Sequence, residues 1–253
     1  GVKFMSVSKS NGKNSLRELF KTLMVAGSIA IVFRSIFFEP FNIPSGSMIP
    51  TLLVGDYLFV SKYSYGYSKY SFPFGIAPIE GRIFDNSPKR GDVIVFRKPG
   101  DESIDYIKRL VAIPNDTVQV KKGILFVNGK PVERIKTNIG FKFQNGYGDE
   151  KIFIQYKEKF EGSKFHYIIE SSDTDPFDDT IEFKVPKDNF FFMGDNRDNS
   201  RDSRTPEVGF VPKINLIGKA QIIFFSHNSA ASFFEFWKWH KSIRFERIGK
   251  AIE

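Results

Sequence analysis

Asp105-Tyr106-Ile107-Lys108-Arg109-Leu110-Val111-Ala112-Ile113-Pro114 is a run of β-branched and aromatic residues closed by a proline. With Ile104 at its head it reads as a β-strand of ten residues, 104–113, broken by one lysine whose neighbours are apolar on both sides. Period-two alternation sets Lys108 beside Tyr106 and Leu110. Runs of the same character lie at Tyr57–Tyr63, Asp92–Arg97, Thr117–Lys121, Ile124–Val127, Asn189–Met193 and Ile217–Phe225, separated by Gly, Pro, Asn and Asp. Beyond the N-terminal region no long stretch carries a 3.6-residue period, so the chain is expected to be mainly β. Asn128-Gly129, between Val127 and Lys130-Pro131-Val132, signals a type I′ hairpin turn. From Glu133 to Val185 the composition shifts to charged, aromatic and glycine-containing segments. This predicts a smaller β-rich sub-domain, 133–185, inserted between 39–132 and 186–253 of one core. There is no internal repeat.

The chain has 253 residues, 41% of them hydrophobic, with no cysteine and a formal net charge of +8. The apolar fraction suffices for a folded core. Absence of cysteine excludes a disulfide scaffold, a Cys-based zinc site, an iron–sulfur cluster and a thiol nucleophile. The basic excess suits an anionic partner, and much of it sits at the start: Lys3, Lys9, Lys13, Arg17 and Lys21 precede an apolar run from Thr22 to Phe33 that resumes after Arg34 through Phe38. The reading is a basic tail, 1–21, followed by a single transmembrane anchor, 22–38, with Arg34 snorkelling to the far headgroups. Arg34, Phe37, Phe38 and Glu39 stand where a cleavable leader needs small residues, which predicts an uncleaved anchor. The basic flank predicts a cytoplasmic N-terminus, with everything after about residue 39 across the membrane. Met5 is a candidate natural start. At the other end, Phe233 to Lys241 interleaves aromatics with charge, and Lys238, Lys241, Arg244 and Arg247 suit an anionic lipid surface; a terminal amphipathic segment packed on the core fits as well. No base-stacking module accompanies the charge, so nucleic acid is not expected as a partner.

Four segments hold residues suited to chemistry. In Pro40-Phe41-Asn42-Ile43-Pro44-Ser45-Gly46-Ser47-Met48-Ile49-Pro50-Thr51-Leu52, two prolines bracket a Ser-Gly-Ser turn that can present a hydroxyl beside backbone N–H groups, though alone it indicates only a turn. Lys108, if buried on its strand, would lose hydration and have its pKa lowered, as a general base near neutral pH requires. Met193-Gly194-Asp195-Asn196-Arg197-Asp198-Asn199-Ser200-Arg201-Asp202-Ser203-Arg204 resembles a calcium loop superficially. Counted from Asp198, however, it has Ser203 where glycine is needed and Gly209 where a glutamate is needed. A cross-braced loop supporting a neighbouring site fits its composition better, and no metal is expected. Pro88-Lys89-Arg90-Gly91-Asp92 is a turn entering a strand. His166, His227 and His240 sit in settings that suit structural roles, and no His-Glu-x-x-His, phosphate loop or Gly-x-Gly-x-x-Gly occurs.

Together the anchor, the Pro-Ser-Gly-Ser-Met-Ile-Pro-Thr-Leu turn, the Tyr-Ile-Lys-Arg strand and the Gly-Asp-Asn-Arg-Asp-Asn-Ser loop resemble the bacterial type I signal peptidases, in that order along the chain. The resemblance implies a membrane-bound endopeptidase that removes signal peptides from secretory preproteins, cutting after small residues of the Ala-x-Ala type. It implies Ser47 as nucleophile and Lys108 as general base, with Ser45 and the Ser47 N–H holding the oxyanion and Ser200 supporting the base. Phe41, Ile43, Leu52, Val95, Tyr106 and Ile107 match positions that wall the substrate pockets. Asp195 with Arg109, and Asp202 with Arg204, match bracing ion pairs. No cofactor is implied, the partners are preproteins and the phospholipid membrane, and the chain is expected to be a monomer. It would sit in the bacterial inner membrane as a single-pass protein, with its catalytic part on the periplasmic face. Two features depart from the pattern: Thr205-Pro206-Glu207-Val208 lengthens the loop before Gly209-Phe210-Val211-Pro212, and only one span fits before Glu39, where some members carry two. A self-cleaving Ser-Lys repressor is the nearest alternative, but the only Ala-Gly pair, Ala26-Gly27, lies in the predicted span and no DNA-binding module precedes the peptidase region. A membrane-tethered binding protein on an inactive peptidase scaffold is the alternative from another class.

Overall fold

The computed structural model describes residues 12–72, 78–144, 150–172, 174–228, 237 and 239–253. Met5, Lys3, Lys9 and the aromatic and basic tail residues Phe233, Phe234, Phe236 and Lys238 lie outside the described residues.

Helix α1 (Gly12–Ile36) leads directly into strand β1 (Phe38–Asn42). The rest is β2 (Asp56–Ser61), β3 (Val93–Arg97), β4 (Asp105–Ala112), β5 (Thr117–Lys121), β6 (Ile124–Val127), β7 (Lys130–Pro131), β8 (Glu133–Lys136) and β9 (Phe141–Gln144), then β10 (Glu150–Lys159), β11 (His166–Glu170), β12 (Phe183–Lys184), β13 (Asn189–Met193), β14 (Val211–Pro212), β15 (Leu216–Ser226) and the short helix α2 (Trp239–Ser242). The protein is mainly β, as expected. The helix differs from the expected 22–38 anchor at both ends. It begins earlier because Arg17, Glu18 and Lys21 are good helix formers and prolong the regular backbone. It stops before Phe37 because Phe38 joins the sheet, its ring lying edge-on 5.6 Å from Tyr63 and 6.3 Å from Phe59. The stretch Ser15–Ile36 is long and apolar enough to cross a membrane. Leu16, Leu19, Phe20, Leu23, Met24 and Ile29 on it are each more than half exposed, so no protein core covers them. This helix fits a transmembrane segment.

The strands form three sheets. A seven-stranded one, in the order β1-β2-β15-β3-β4-β13-β14, curls into a half-barrel. Its strand β3 reads Val-Ile-Val-Phe with all four residues buried, because both faces of the sheet are covered. Met48, Leu52, Leu58, Val60, Val93, Val95, Ile217 and Ala220 pack in one cluster; Ile94, Phe96, Leu110, Phe192 and Leu216 pack in another. Pro40 is tolerated in β1 because β1 is an edge strand, where one missing N–H donor breaks no ladder. A second sheet, β12-β5-β6-β7, carries the hairpin turned by Asn128, at φ 53°, and Gly129, at φ 74°. The third, β11-β10-β8 with β9 paired to β10, is built from 133–170. Strand β12, from the stretch expected as the insertion, pairs with β5 instead.

Candidate active site

The turn after β1 is shaped by its own backbone and held from outside. Ile43 exchanges hydrogen bonds with the 55–56 turn, its N–H reaching Asp56 O at 2.9 Å and its carbonyl accepting from Gly55 N–H at 3.0 Å. Ile49 N–H then closes on Gly46 O at 3.2 Å, and Leu52 N–H on Met48 O at 2.9 Å. Met48, Ile49 and Leu52 face inward, leaving Ser47 at the rim of the core with 8% of its surface exposed. The far end of the turn is pinned by the C-terminal segment: Arg247 forks onto Asp56 and donates to Thr51 O at 2.9 Å, while Ser226 Oγ donates to Asp56 Oδ1 at 2.6 Å.

Lys108 enters from β4, paired with Ile94 of β3. It is 4% exposed, and its Nζ lies 2.7 Å from Ser47 Oγ, 3.1 Å from Ile107 O and 5.1 Å from the centre of the Tyr106 ring. Burial pushes its pKa down to about 8, with Asp202 and Asp195 pulling weakly the other way. A lysine so poised has a neutral fraction of about a tenth at pH 7, far above that of an ordinary lysine, and a neutral amine beside a serine hydroxyl can accept its proton. Ser45 is exposed, its Oγ 3.4 Å from Ser47 Oγ.

Behind the pair, the 194–204 loop is braced as its composition suggested. Arg109 Nε and Nη2 each reach Asp195 at 2.8 Å, and both side chains are fully buried. Arg204 grips Asp202 at 2.9 and 2.8 Å, and Asp202 also accepts Gly194 N–H at 3.0 Å. Burial alone would raise both carboxyls; the two guanidiniums hold them below the usual carboxylate range. Gly194 runs so close to the site that a Cβ there would lie 2.2 Å from Ser200 Oγ and 2.5 Å from Ser47 O. Ser200 is buried against this loop and lines the cavity; no hydrogen bond joins it to Lys108, and its hydroxyl lies toward Asp202, whose carboxyl it helps to hold low.

A cavity of about 600 Å³ opens over Ser47 and Lys108. Phe41, Ile43, Val95, Tyr106 and Ile107 line it. Leu52, expected with them, does not: the helical turn from Met48 carries it inward, where it is fully buried against the core. Phe177 and Asp198 also line the cavity. In the lengthened loop, Glu207 accepts Lys98 Nζ at 2.9 Å, and Val208 is buried with Phe96 and Leu216.

Sequence reasoning missed one network. Glu158 of β10 is fully buried, receives Arg197 through both terminal nitrogens, and takes His166 Nε2 at 3.2 Å. His166 is itself buried and stacked on Phe160 at 5.4 Å. Only a short charged alternation, Lys157-Glu158-Lys159, marks Glu158 in the sequence, and that pattern ordinarily belongs to a solvated strand.

Comparison with known proteins places the chain among the peptidases. The family model "Signal peptidase, peptidase S26" matches residues 16–225. Proteins named signal peptidase I from Rickettsia typhi and Rickettsia prowazekii are each 39% identical over 231 residues, covering 88% of this chain and 85% of theirs; that from Rickettsia conorii is 40% identical, covering 87% and 83%. A crystal structure of a signal peptidase I from Enterococcus faecalis is 23% identical, covering 53% of this chain and 97% of that one, with a TM-score of 0.30. The chain belongs to the signal peptidase family, peptidase S26.

Proposed function

We propose that the protein removes signal peptides from secretory preproteins as a serine endopeptidase with a Ser47–Lys108 dyad. The observation that carries this reading is the 2.7 Å approach of the buried Lys108 amine to the Ser47 hydroxyl on the floor of the cavity. Neutral Lys108 takes the Ser47 proton as Oγ bonds to the scissile carbonyl carbon, and the carbonyl electrons move onto oxygen. The Ser47 N–H and the Ser45 hydroxyl face that developing oxyanion. On collapse the C–N bond breaks and Lys108 gives its proton to the leaving amine. Water then yields a proton to Lys108 and its hydroxyl to the acyl carbon; the acyl C–Oγ bond breaks, and Lys108 returns the proton to Ser47 Oγ, which regenerates both groups. Ser200, beside the dyad, supports the base.

Specificity for small residues, of the Ala-x-Ala type, follows from the walls. Phe41, Ile43, Val95, Tyr106 and Ile107 give the cavity apolar walls beside the dyad, which a bulky side chain would overlap. Helix α1 anchors the chain in the bacterial inner membrane with its basic start in the cytoplasm, so that enzyme and signal peptide meet in one plane. The stretch 133–185 acts as an inserted sub-domain whose Glu158 steadies the loop behind the dyad. The working unit is a monomer. Cleavage of a preprotein with an Ala-x-Ala signal end, in detergent, tests the reading. The native chain cuts, and Ser47→Ala and Lys108→Ala, both folded, do not. Undiminished cutting by either variant rejects the dyad, and a native chain that never cuts favours a binding scaffold.

A further inference from the structure

Asn196 is 2% exposed and makes two hydrogen bonds to the catalytic turn: its Nδ2 donates to Gly46 O at 3.1 Å, and its backbone N–H donates to Ser47 O at 3.1 Å. The two carbonyls flank Ser47 on either side. The Gly46–Ser47 peptide is planar and trans, so the direction of Gly46 C=O fixes the opposite direction of Ser47 N–H. That N–H donates to no acceptor among the described residues, as a group reserved for an incoming oxygen must. We infer that Asn196 is a positioning residue for the oxyanion site, aiming the Ser47 N–H by holding the Gly46 carbonyl from behind.

Three further observations carry the inference. Asn196 is rigidly placed, because Asp195 before it is clasped by Arg109 and Arg197 after it by Glu158. The backbone there is also laid against β11: Ile169 N–H donates to Asp195 O at 2.9 Å, and Arg197 N–H to Ile169 O at 3.0 Å. The Asn196 Oδ1 is buried with no partner among the described residues, so the amide is held for its donor side alone. A buried acceptor left unmatched is unfavourable, and packing by itself would be served as well by an apolar side chain.

The inference rests on the Ser47–Lys108 reading, so the test begins with native chain and Ser47→Ala in detergent; cutting by the first alone establishes that reading independently. Asn196→Ala and Asn196→Asp, which keeps the volume but removes the donor, are then compared. The expected result is a fall in kcat of roughly tenfold to a hundredfold, below the hundredfold to thousandfold for deleting a donor outright, with KM unchanged within about twofold. A peptide boronic acid ending in Ala-x-Ala, whose tetrahedral adduct with Ser47 fills the oxyanion site, loses affinity by the same factor. The matching peptide amide, which forms no adduct, binds as before. Unchanged kcat overturns the inference. So do equal losses for boronate and amide, or unfolding of both variants by circular dichroism, since each would make Asn196 a structural residue only.

Discussion

Lys108 and Arg109 are successive residues of β4, and the structure treats their charges in opposite ways. Arg109 is matched by Asp195 through two hydrogen bonds of 2.8 Å, whereas Lys108, equally buried, faces a neutral serine hydroxyl at 2.7 Å. The matched cation braces the loop; burial pushes the pKa of the unmatched one down to about 8.

The pH dependence follows. Lys108 acts as base only when deprotonated, so kcat/KM should rise with pH, reach half its plateau near pH 8, and fall about tenfold for each unit below that. A profile measured from pH 6 to 10 on an Ala-x-Ala peptide checks this; a flat profile removes Lys108 from the role.

Gly194→Ala should leave the β-sheets intact and remove most activity. The new Cβ would sit 2.5 Å from the Ser47 carbonyl, which is backbone rather than the end of a flexible side chain, so the turn must shift and with it the Ser47 hydroxyl. A displacement of that kind costs on the order of a hundredfold in rate. Near-native cleavage would show that the turn yields freely.

Acid should destabilise the protein through the loop behind the site. Asp195 and Asp202 titrate below their ordinary range when folded, so their stabilisation is complete above the unfolded value near 4 and is lost as pH falls through the folded one. Asp202→Asn leaves Arg204 buried without its partner. It should lower stability at pH 7 by about 3 kcal/mol and flatten the acid dependence, both read from urea unfolding at several pH values.

Widening the cavity should relax specificity. Ile43→Ala and Ile107→Ala remove wall atoms beside the dyad, and a pocket methylene is worth about 1–3 kcal/mol of discrimination. A peptide series with Ala, Val and Leu at the first and third positions before the cut should show the larger residues gaining relative to Ala. Unchanged ratios would place the walls elsewhere.

Much of the frame is legible because strand signals there are local. Thr117–Lys121, Ile124–Val127 and Asn189–Met193 form strands at the residues their composition indicates, each bounded by Gly, Asn or Asp. Strand β1 was hidden because Pro40 argues against a strand wherever the edge position is unknown. Strands β8 to β11 were hidden because their buried face carries Glu158 and His166, polar residues that pair with each other across neighbouring strands and with Arg197, 39 residues further on. At the site, residue types and their order point to Ser47 and Lys108 through family resemblance, and the same order names Arg109 with Asp195. The donor role of Asn196 and the grip of Arg247 on the turn depend on long-range geometry that no local pattern encodes.

The junction between α1 and β1 sets a length. The helix ends at Ile36 and the sheet starts at Phe38, with Lys62 and Arg34 both bound to Glu39, so nothing flexible separates them. Ser47 follows so soon that even a fully extended chain would carry it only about 40 Å from the last helical residue. On the proposed reading, with α1 in the membrane and Ser47 as nucleophile, the cutting edge would work as a gauge of fixed height: a peptide bond would be presented to it by depth as well as by sequence, and a longer spacer between hydrophobic core and cut site would carry the bond past the blade.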